Sequence, residues 1–206
     1  MVSGQGRGTN LQAILDGCSS GQIPGGVALV IGVRADAPAL DRARTAGVPV
    51  AVISPKRFEG DDSAYGAALL DSLLEYKVKL ICLAGYMRIL PTAVVAAYRN
   101  RILNIHAALL PLFGGKGMYG EHVHRAVLES GMKVSGCTVH LVDERYDSGP
   151  ILIQRAVPIL SDDTPESLAA KILPEEHKAY VEAIRLFAQD RVRVENGRAR
   201  ILPEST

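Results

Sequence analysis

The sequence is poor in cysteine and has no excess of either charge. Its three cysteines, Cys18, Cys82 and Cys137, lie far apart without a C-x-x-C pair, so neither a zinc site nor a disulfide framework is favoured. Reduced cysteines fit a reducing compartment best. The net charge is only +1, which argues against a nucleic-acid-binding surface or an acidic tail.

Long apolar runs are also missing. No run reaches the roughly 18 residues that a membrane helix needs, and the first residues, MVSGQGRG, lack the apolar centre of a signal peptide. We therefore expect a soluble cytoplasmic protein with neither a membrane nor a nucleic-acid partner. The 206 residues, of which 48% are hydrophobic, can bury one good core, so a single domain spanning 1–206 is the default interpretation.

Short apolar runs that alternate with helix-like segments predict an α/β fold. Runs rich in branched residues are typical of strands buried on both faces. Four of them lie at 26–33, 48–53, 78–85 and 102–105. Helices are predicted from a cap at Thr9 or Asn10, and over 39–46, 63–76 and 91–99. The alternation indicates an open, mostly parallel, Rossmann-like sheet flanked by helices, with right-handed crossovers.

The pattern changes after residue 110. Glycines make 114–124 a predicted mobile loop. Two apolar runs, 134–144 and 150–159, predict an antiparallel strand pair added to the sheet. A long helix is expected over 164–190, and the alternating stretch 191–202, centred on an Asn-Gly pair, predicts a C-terminal hairpin.

The stretch GQGRGTN (4–10) places small residues just before the first predicted helix. Backbone N–H groups at a helix N-terminus, approached closely past glycine, form an anion site, and phosphate is its usual ligand. A dinucleotide fingerprint fits less well, because the spacing is G-x-G-x-G and no acidic residue closes a second strand. A flexible turn is the alternative without a ligand.

Asn104 and His106 stand two residues apart in LNIHAALLP (103–111). In a strand they share one face, and the carboxyl end of a parallel strand opens toward ligands. Asparagine offers an amide donor to an oxyanion, and histidine exchanges protons near neutral pH. Asp147, in RYDSGP, is the candidate third group, since a carboxylate favours the charged imidazole. The alternatives are a satisfied core histidine and an aspartate that only shapes its turn.

Six segments of the chain, in this order, resemble the formyltetrahydrofolate-dependent formyltransferases: GTNLQAIL, LAGYMRIL, LNIHAALLP, GGKGMYGEHVHRAVL, SGCTVHLVDERYDSGPIL and EEHKAY. Around FGGKGMYG the chain is similar to members that formylate glycinamide ribonucleotide in purine synthesis, and not to those that act on methionyl-tRNA. The resemblance implies a transferase that uses 10-formyltetrahydrofolate as co-substrate, without a metal. The expected assembly is a monomer or a homodimer.

The resemblance also implies the site residues. The catalytic residues are Asn104, His106 and Asp147, with the Thr138 hydroxyl as a support. The ribonucleotide is bound by Gly8, Thr9, Asn10 and Glu176. The folate is lined by Met87, Arg88, Ile89, Leu90, Asp143, Glu144, Arg145 and Tyr146. From the residues alone, Arg88 either reaches solvent or frames a site, and Glu176 lies on a solvated helix face.

These assignments divide the chain into a phosphate-binding half (1–105), a folate and catalytic half (106–190) and the hairpin. In the implied mechanism, Asn104 and protonated His106 stabilise an oxyanion, and Asp147 keeps His106 protonated. Rival interpretations are formyl transfer to another sugar-linked amine, hydrolysis of formyltetrahydrofolate, and a nucleotide-binding module without catalysis.

The chain departs from the family pattern at several places. The first strand, an apolar run in the family, is only Met1 and Val2 here. Ala107-Ala108 replaces a common Pro-Ser after the histidine, and the glycine loop is longer by about two residues. Asp62 stands where an arginine near the folate tail is frequent, which predicts weaker contact with that tail.

Overall fold

The computed structural model describes residues 1–2 and 6–204, so the start of the predicted glycine loop lies outside the described residues. The chain forms two compact units, Met1–Leu103 and Asn104–Thr206. Their elements are those of a mixed α/β fold, in which parallel strands are flanked by helices and an antiparallel strand pair is added. The predicted fold class is confirmed.

The first unit contains the four predicted strands. They are β1 (Val30–Gly32), β2 (Val50–Val52), β3 (Ile81–Leu83) and β4 (Ile102–His106), of which β4 continues into the second unit. β1 and β2 pair in parallel, and β3 has β4 beside it. Each strand is centred on a predicted apolar run, because branched apolar side chains suit strands that are covered on both faces.

The helices of the first unit also follow the prediction. They are α1 (Thr9–Ser19), α2 (Pro38–Thr45), α3 (Asp62–Glu75) and α4 (Thr92–Ala97), with a short 3-10 turn at Pro55–Phe58. The Asp61 carboxylate accepts a hydrogen bond from the Ala64 N–H at 2.9 Å and so fixes the start of α3.

Met1 and Val2 take the strand position between β1 and β3. The Val2 N–H donates to the Ile31 carbonyl at 3.0 Å. On the other side, the Met1 nitrogen donates to the Cys82 carbonyl at 2.6 Å, and the Ala84 N–H donates to the Met1 carbonyl at 3.0 Å. Two residues therefore bridge β1 and β3, at the position where the family pattern has an apolar run.

The second unit is built on an antiparallel pair, β5 (Val134–Leu141) and β6 (Ile151–Pro158), as predicted. The remaining elements are α5 (Glu121–Glu129), α6 (Pro165–Ala188), β7 (Val192–Glu195) and β8 (Arg198–Ile201). β7 and β8 form the predicted hairpin, and α6 packs against β5, β6 and α5. Within residues 1–2 and 6–204, no helix is long and apolar enough to cross a membrane.

The predicted loop over 114–124 is partly wrong, because α5 begins at Glu121. The glycines end at Gly120, and the residues that follow bury Val123 and Val127 at helical spacing. Only the glycine-rich part of the segment stays irregular.

Candidate active site

Asn104 and His106 lie at the carboxyl end of β4, and both approach the same carboxylate. Asn104 Nδ2 is 3.5 Å from Asp147 Oδ1, and His106 Nδ1 is 3.8 Å from Asp147 Oδ2. Residues two apart in a strand point to one face, which explains how both reach it. The imidazole is only 6% exposed. The structure thus brings the three predicted catalytic residues together within the second unit.

The turn that carries Asp147 is shaped by another aspartate. The Asp143 carboxylate accepts hydrogen bonds from the Arg145 N–H at 2.9 Å and from the Ser148 hydroxyl at 2.8 Å. Asp147 itself adopts a left-handed φ of 49°, and its Oδ2 accepts a hydrogen bond from the Gly115 N–H at 2.9 Å. Asp147 therefore does more than shape its own turn, since its carboxylate faces β4 and the loop that follows β4.

A buried histidine on β5 completes the group. His140 is 2% exposed, and its Nε2 is 3.1 Å from Asn104 Nδ2 and 3.5 Å from Asp147 Oδ1. Its Nδ1 is 2.9 Å from the Leu141 carbonyl, so Nδ1 carries the hydrogen and Nε2 accepts from the Asn104 amide. His140 therefore sets the direction in which Asn104 points.

Sequence reasoning missed His140 because it is one polar residue in an apolar strand. The available signal was its place two residues after Thr138, on the same face of β5. That face also carries the Thr138 hydroxyl toward the loop after His106, so a search for polar residues at period two in β5 would have found both.

Burial controls the protonation of His106. It lowers the pKa of His106 below the ordinary 6.5 and outweighs the Asp147 carboxylate, which acts in the opposite direction. The imidazole is thus neutral near pH 7, contrary to the expectation that Asp147 keeps it protonated. Its Nε2 lies 2.8 Å from the Phe113 carbonyl and therefore carries the hydrogen. The lone pair of Nδ1 faces Asp147, and a proton placed there gains the carboxylate as its partner.

Asp147 is an anion at neutral pH. Burial alone would raise the pKa of this carboxyl. The interactions with His140 and with the Gly115 N–H, together with the proximity of His106, bring the pKa below its ordinary value of 3.8. The group therefore joins a fixed negative charge, a neutral imidazole and an oriented amide.

Thr138 and Gln154 hold the loop that leaves His106. The Thr138 hydroxyl donates to the Ala108 carbonyl at 2.7 Å and accepts from the Leu110 N–H at 3.0 Å. The Gln154 amide donates to Thr138 Oγ1 at 3.0 Å and to the Leu110 carbonyl at 2.9 Å. Thr138 is thus a support of the loop. Gln154, directly opposite Thr138 on β6, was not selected from the sequence.

The predicted phosphate loop lies in the first unit at the start of α1. The predicted cap at Thr9 or Asn10 is wrong, because Gly8 is the N-cap and the helix begins at Thr9. Gly8 has a left-handed φ of 71°, and a Cβ at this position would lie 2.8 Å from Ala39 Cα. Only glycine fits this approach of the loop to α2, and phosphate binding at this helix N-terminus stays a prediction.

Arg42 of α2 supports the same loop. Its Nε donates to the Arg7 carbonyl at 2.8 Å, and its Nη1 donates to Gln12 Oε1 at 3.0 Å. The guanidinium therefore ties the residue before Gly8 to the second turn of α1. This role could not be predicted from local composition, since Arg42 lies in a charged stretch that is ordinary for a helix.

The residues expected to line a folate site lie in two segments, one in each unit. In the first unit, Arg88 and Ile89 are exposed and Leu90 is buried. In the second unit, Glu144 to Tyr146 are exposed, next to the half-buried Asp143. Arg88 was expected either to reach solvent or to frame a site, and its exposure agrees with both interpretations.

Glu176 is half-buried on α6. Burial chiefly, and the charge of Glu176 next, raise the pKa of the Cys137 thiol on β5 to about 12. Glu176 therefore lies near β5, and its contact with a ribonucleotide stays a prediction. Among residues 1–2 and 6–204, no group of His, Cys, Asp and Glu side chains is arranged to hold a metal ion.

The family of the chain follows from its similarity to known proteins. Residues 1–184 match the family described as "Formyl transferase". The chain belongs to the formyl transferase family. The resemblance carried by the six sequence segments is thereby confirmed.

Several members of the family are similar to this chain in sequence or in structure. Phosphoribosylglycinamide formyltransferase of Escherichia coli (strain K12) is 37% identical, over 94% of this chain and 89% of its own length. The chloroplastic phosphoribosylglycinamide formyltransferase of Arabidopsis thaliana is 46% identical over 91% of this chain, which spans 64% of that relative. The crystal structure of glycinamide ribonucleotide transformylase 1 from Symbiobacterium toebii is 52% identical, with a TM-score of 0.91, and covers 98% of this chain and 92% of its own.

Proposed function

We propose that the chain transfers the formyl group of 10-formyltetrahydrofolate to the amine of glycinamide ribonucleotide, giving formylglycinamide ribonucleotide. The convergence of Asn104, His106 and Asp147 at the end of β4 carries this proposal. An amide and an imidazole that donate, beside a fixed carboxylate, suit acyl transfer through a tetrahedral intermediate. Membership of the formyl transferase family and the names of the E. coli and Symbiobacterium relatives support the choice of substrates.

The first step of the proposed reaction joins the substrate amine to the formyl carbon. The carbonyl electron pair moves to oxygen, which becomes an oxyanion. His106 Nε2–H, which donates to the Phe113 carbonyl in this structure, donates to that oxygen instead. Asn104 keeps one amide hydrogen on His140 and turns the other, which points to Asp147 Oδ1 at 3.5 Å, toward the same oxygen. Each donor exchanges a protein acceptor for the developing negative charge, and a charged acceptor makes the stronger hydrogen bond.

The second step breaks the bond between the formyl carbon and N10 of the folate. The attacking nitrogen must lose a proton and N10 must gain one. Asp147 is ionised and stabilises positive charge on His106 while this proton moves, directly or through water. The folate leaves deformylated, and all atoms are conserved without an oxidant or a metal.

One assay tests the proposed function. The purified chain is mixed with 10-formyltetrahydrofolate, and its deformylation is followed with glycinamide ribonucleotide, with other sugar-linked amines and with water alone. We expect turnover with glycinamide ribonucleotide and a mass increase of the ribonucleotide by one formyl group. Turnover in water alone would assign a hydrolase. Folate-independent nucleotide binding without deformylation would reject catalysis.

A substitution of His140 tests how Asn104 and Asp147 are oriented. His140→Phe keeps a planar ring but removes the acceptor of the Asn104 amide, so kcat should fall by about tenfold to a hundredfold. Without this acceptor the Asn104 amide loses its fixed direction, so kcat should fall while the KM values change little.

His140→Gln is the matched control, because its side-chain carbonyl still accepts a hydrogen bond. It should recover part of the activity lost in His140→Phe. A kcat near that of the wild type in His140→Phe, with normal folding by circular dichroism, would reduce His140 to a packing role.

Gly8→Ala tests the phosphate loop. A Cβ at Gly8 meets Ala39 at 2.8 Å and the φ is left-handed, so the substitution should cost about 1–3 kcal/mol of stability. Displacing the loop also misplaces the N–H groups at the start of α1, and KM for glycinamide ribonucleotide should rise more than KM for folate. Gly25→Ala, where a Cβ has open space, should change neither value.

A further inference from the structure

Both ends of the Met87–Leu90 segment rest on the same stretch of α3. Tyr86 immediately precedes the segment, and its hydroxyl lies 3.1 Å from the hydroxyl of Tyr65. Pro91 immediately follows the segment and lies against Gly66, the next residue of α3. Two consecutive positions of one helix therefore fix the start and the end of a short, exposed segment. All of these residues belong to the first unit.

The hydroxyl pair at the start of the segment is removed from water. Tyr65 is 3% exposed and Tyr86 is 7% exposed. Burial raises the pKa of both phenols, so both are neutral, and one donates a hydrogen bond that the other accepts. A buried hydroxyl that loses its partner bears a desolvation cost, so the pair holds Tyr86 against α3.

The end of the segment is held by close packing. A Cβ built on Gly66 would lie 3.0 Å from Pro91 Cβ, so the absence of a side chain at Gly66 lets Pro91 approach the helix. Leu90, the last residue of the segment, is buried. Between the two anchors, only Arg88 and Ile89 are exposed.

We propose that Tyr65, Gly66 and Tyr86 are positioning residues that hold the Met87–Leu90 segment in the shape that binds the folate co-substrate. This inference rests on the proposed function and on the folate-lining role that the family resemblance implies for the segment. A segment that is ordered before binding loses less entropy when the ligand arrives. The effect of the anchors therefore belongs to folate affinity and not to the chemical step at His106.

Tyr86→Phe and Tyr65→Phe test the hydroxyl pair. Each variant should raise KM for 10-formyltetrahydrofolate by about threefold to tenfold, while kcat and KM for glycinamide ribonucleotide stay unchanged. The double variant should raise KM no more than the larger single effect, because the two hydroxyls act through one bond. A purely structural role would lower the melting temperature without this selective change in KM.

Tyr98→Phe is the matched control in the same unit. Its hydroxyl donates to the Val78 carbonyl at 3.0 Å, so the variant also loses a tyrosine hydrogen bond, but away from the segment. It should leave KM for folate unchanged.

Gly66→Ala tests the other end of the segment. Alanine favours the helix, but its methyl group would crowd Pro91. KM for folate should therefore rise in a stably folded protein.

Calorimetry with tetrahydrofolate separates the possible failures. If the wild-type chain does not bind tetrahydrofolate, the proposed function fails, and the positioning role fails with it. If the wild type binds and turns over folate but the tyrosine variants and Gly66→Ala keep its KM, the proposed function stands and the positioning role is overturned. A rise in KM that Tyr98→Phe shares equally also overturns it.

Discussion

His106→Ala is expected to lower the turnover of 10-formyltetrahydrofolate with glycinamide ribonucleotide by on the order of a hundredfold or more. The substitution removes the Nε2–H that is placed to donate to the oxyanion and the Nδ1 that faces Asp147 at 3.8 Å. Both losses act on the transition state, so kcat should fall while the KM values change little. Steady-state kinetics with each substrate varied in turn measure this difference.

Two further measurements distinguish a catalytic loss in His106→Ala from misfolding of the variant. His106→Gln keeps a polar side chain of similar size, so it should fold like the wild type and remain slow, because its amide cannot exchange a proton near neutral pH. Imidazole added to His106→Ala should restore part of the lost turnover. A turnover near that of the wild type in His106→Ala would remove the histidine from the mechanism.

The elements that the sequence predicts well are those whose ends are determined by their own residues. β4 lies where the apolar run stops at His106, and the hairpin of β7 and β8 follows its Asn-Gly turn. The start of α1 is different. Its N-cap is Gly8, and the requirement for glycine comes from the close approach of Ala39 on α2. The pairing of Val2 with its neighbours likewise depends on residues far along the chain. Such contacts leave no trace in local composition.

The candidate site shows the same division. Period two in a strand places Asn104 and His106 on one face, so their proximity follows from the sequence once β4 is assigned. The approach of Asp147 does not, since it depends on the turn that Asp143 shapes. His140 was missed because its only local signal was its place two residues after Thr138 in an otherwise apolar strand. The neutrality of His106 was missed because burial, which outweighs Asp147, is set by packing.

Asp147→Asn is expected to lower the pKa of His106 further and to cut kcat about as deeply as the loss of His106. Burial already holds the pKa of His106 below 6.5, and the carboxylate is the largest influence that raises it. An amide cannot attract a proton to Nδ1, so protonation of His106 becomes harder and the pKa falls. Histidine NMR titrations measure the shift, and the pH dependence of kcat reports its effect on turnover.

Asp190→Asn is the matched control for this titration. It also removes a carboxylate from the second unit, but one that pairs with Arg193 beside the C-terminal hairpin, so the pKa of His106 should not move. A fall in kcat without a change in the His106 titration would separate the two residues, and Asp147 would then act on the migrating proton alone. An unchanged titration with normal kcat would leave Asp147 as an acceptor for the Gly115 N–H, because that bond survives the change to an amide.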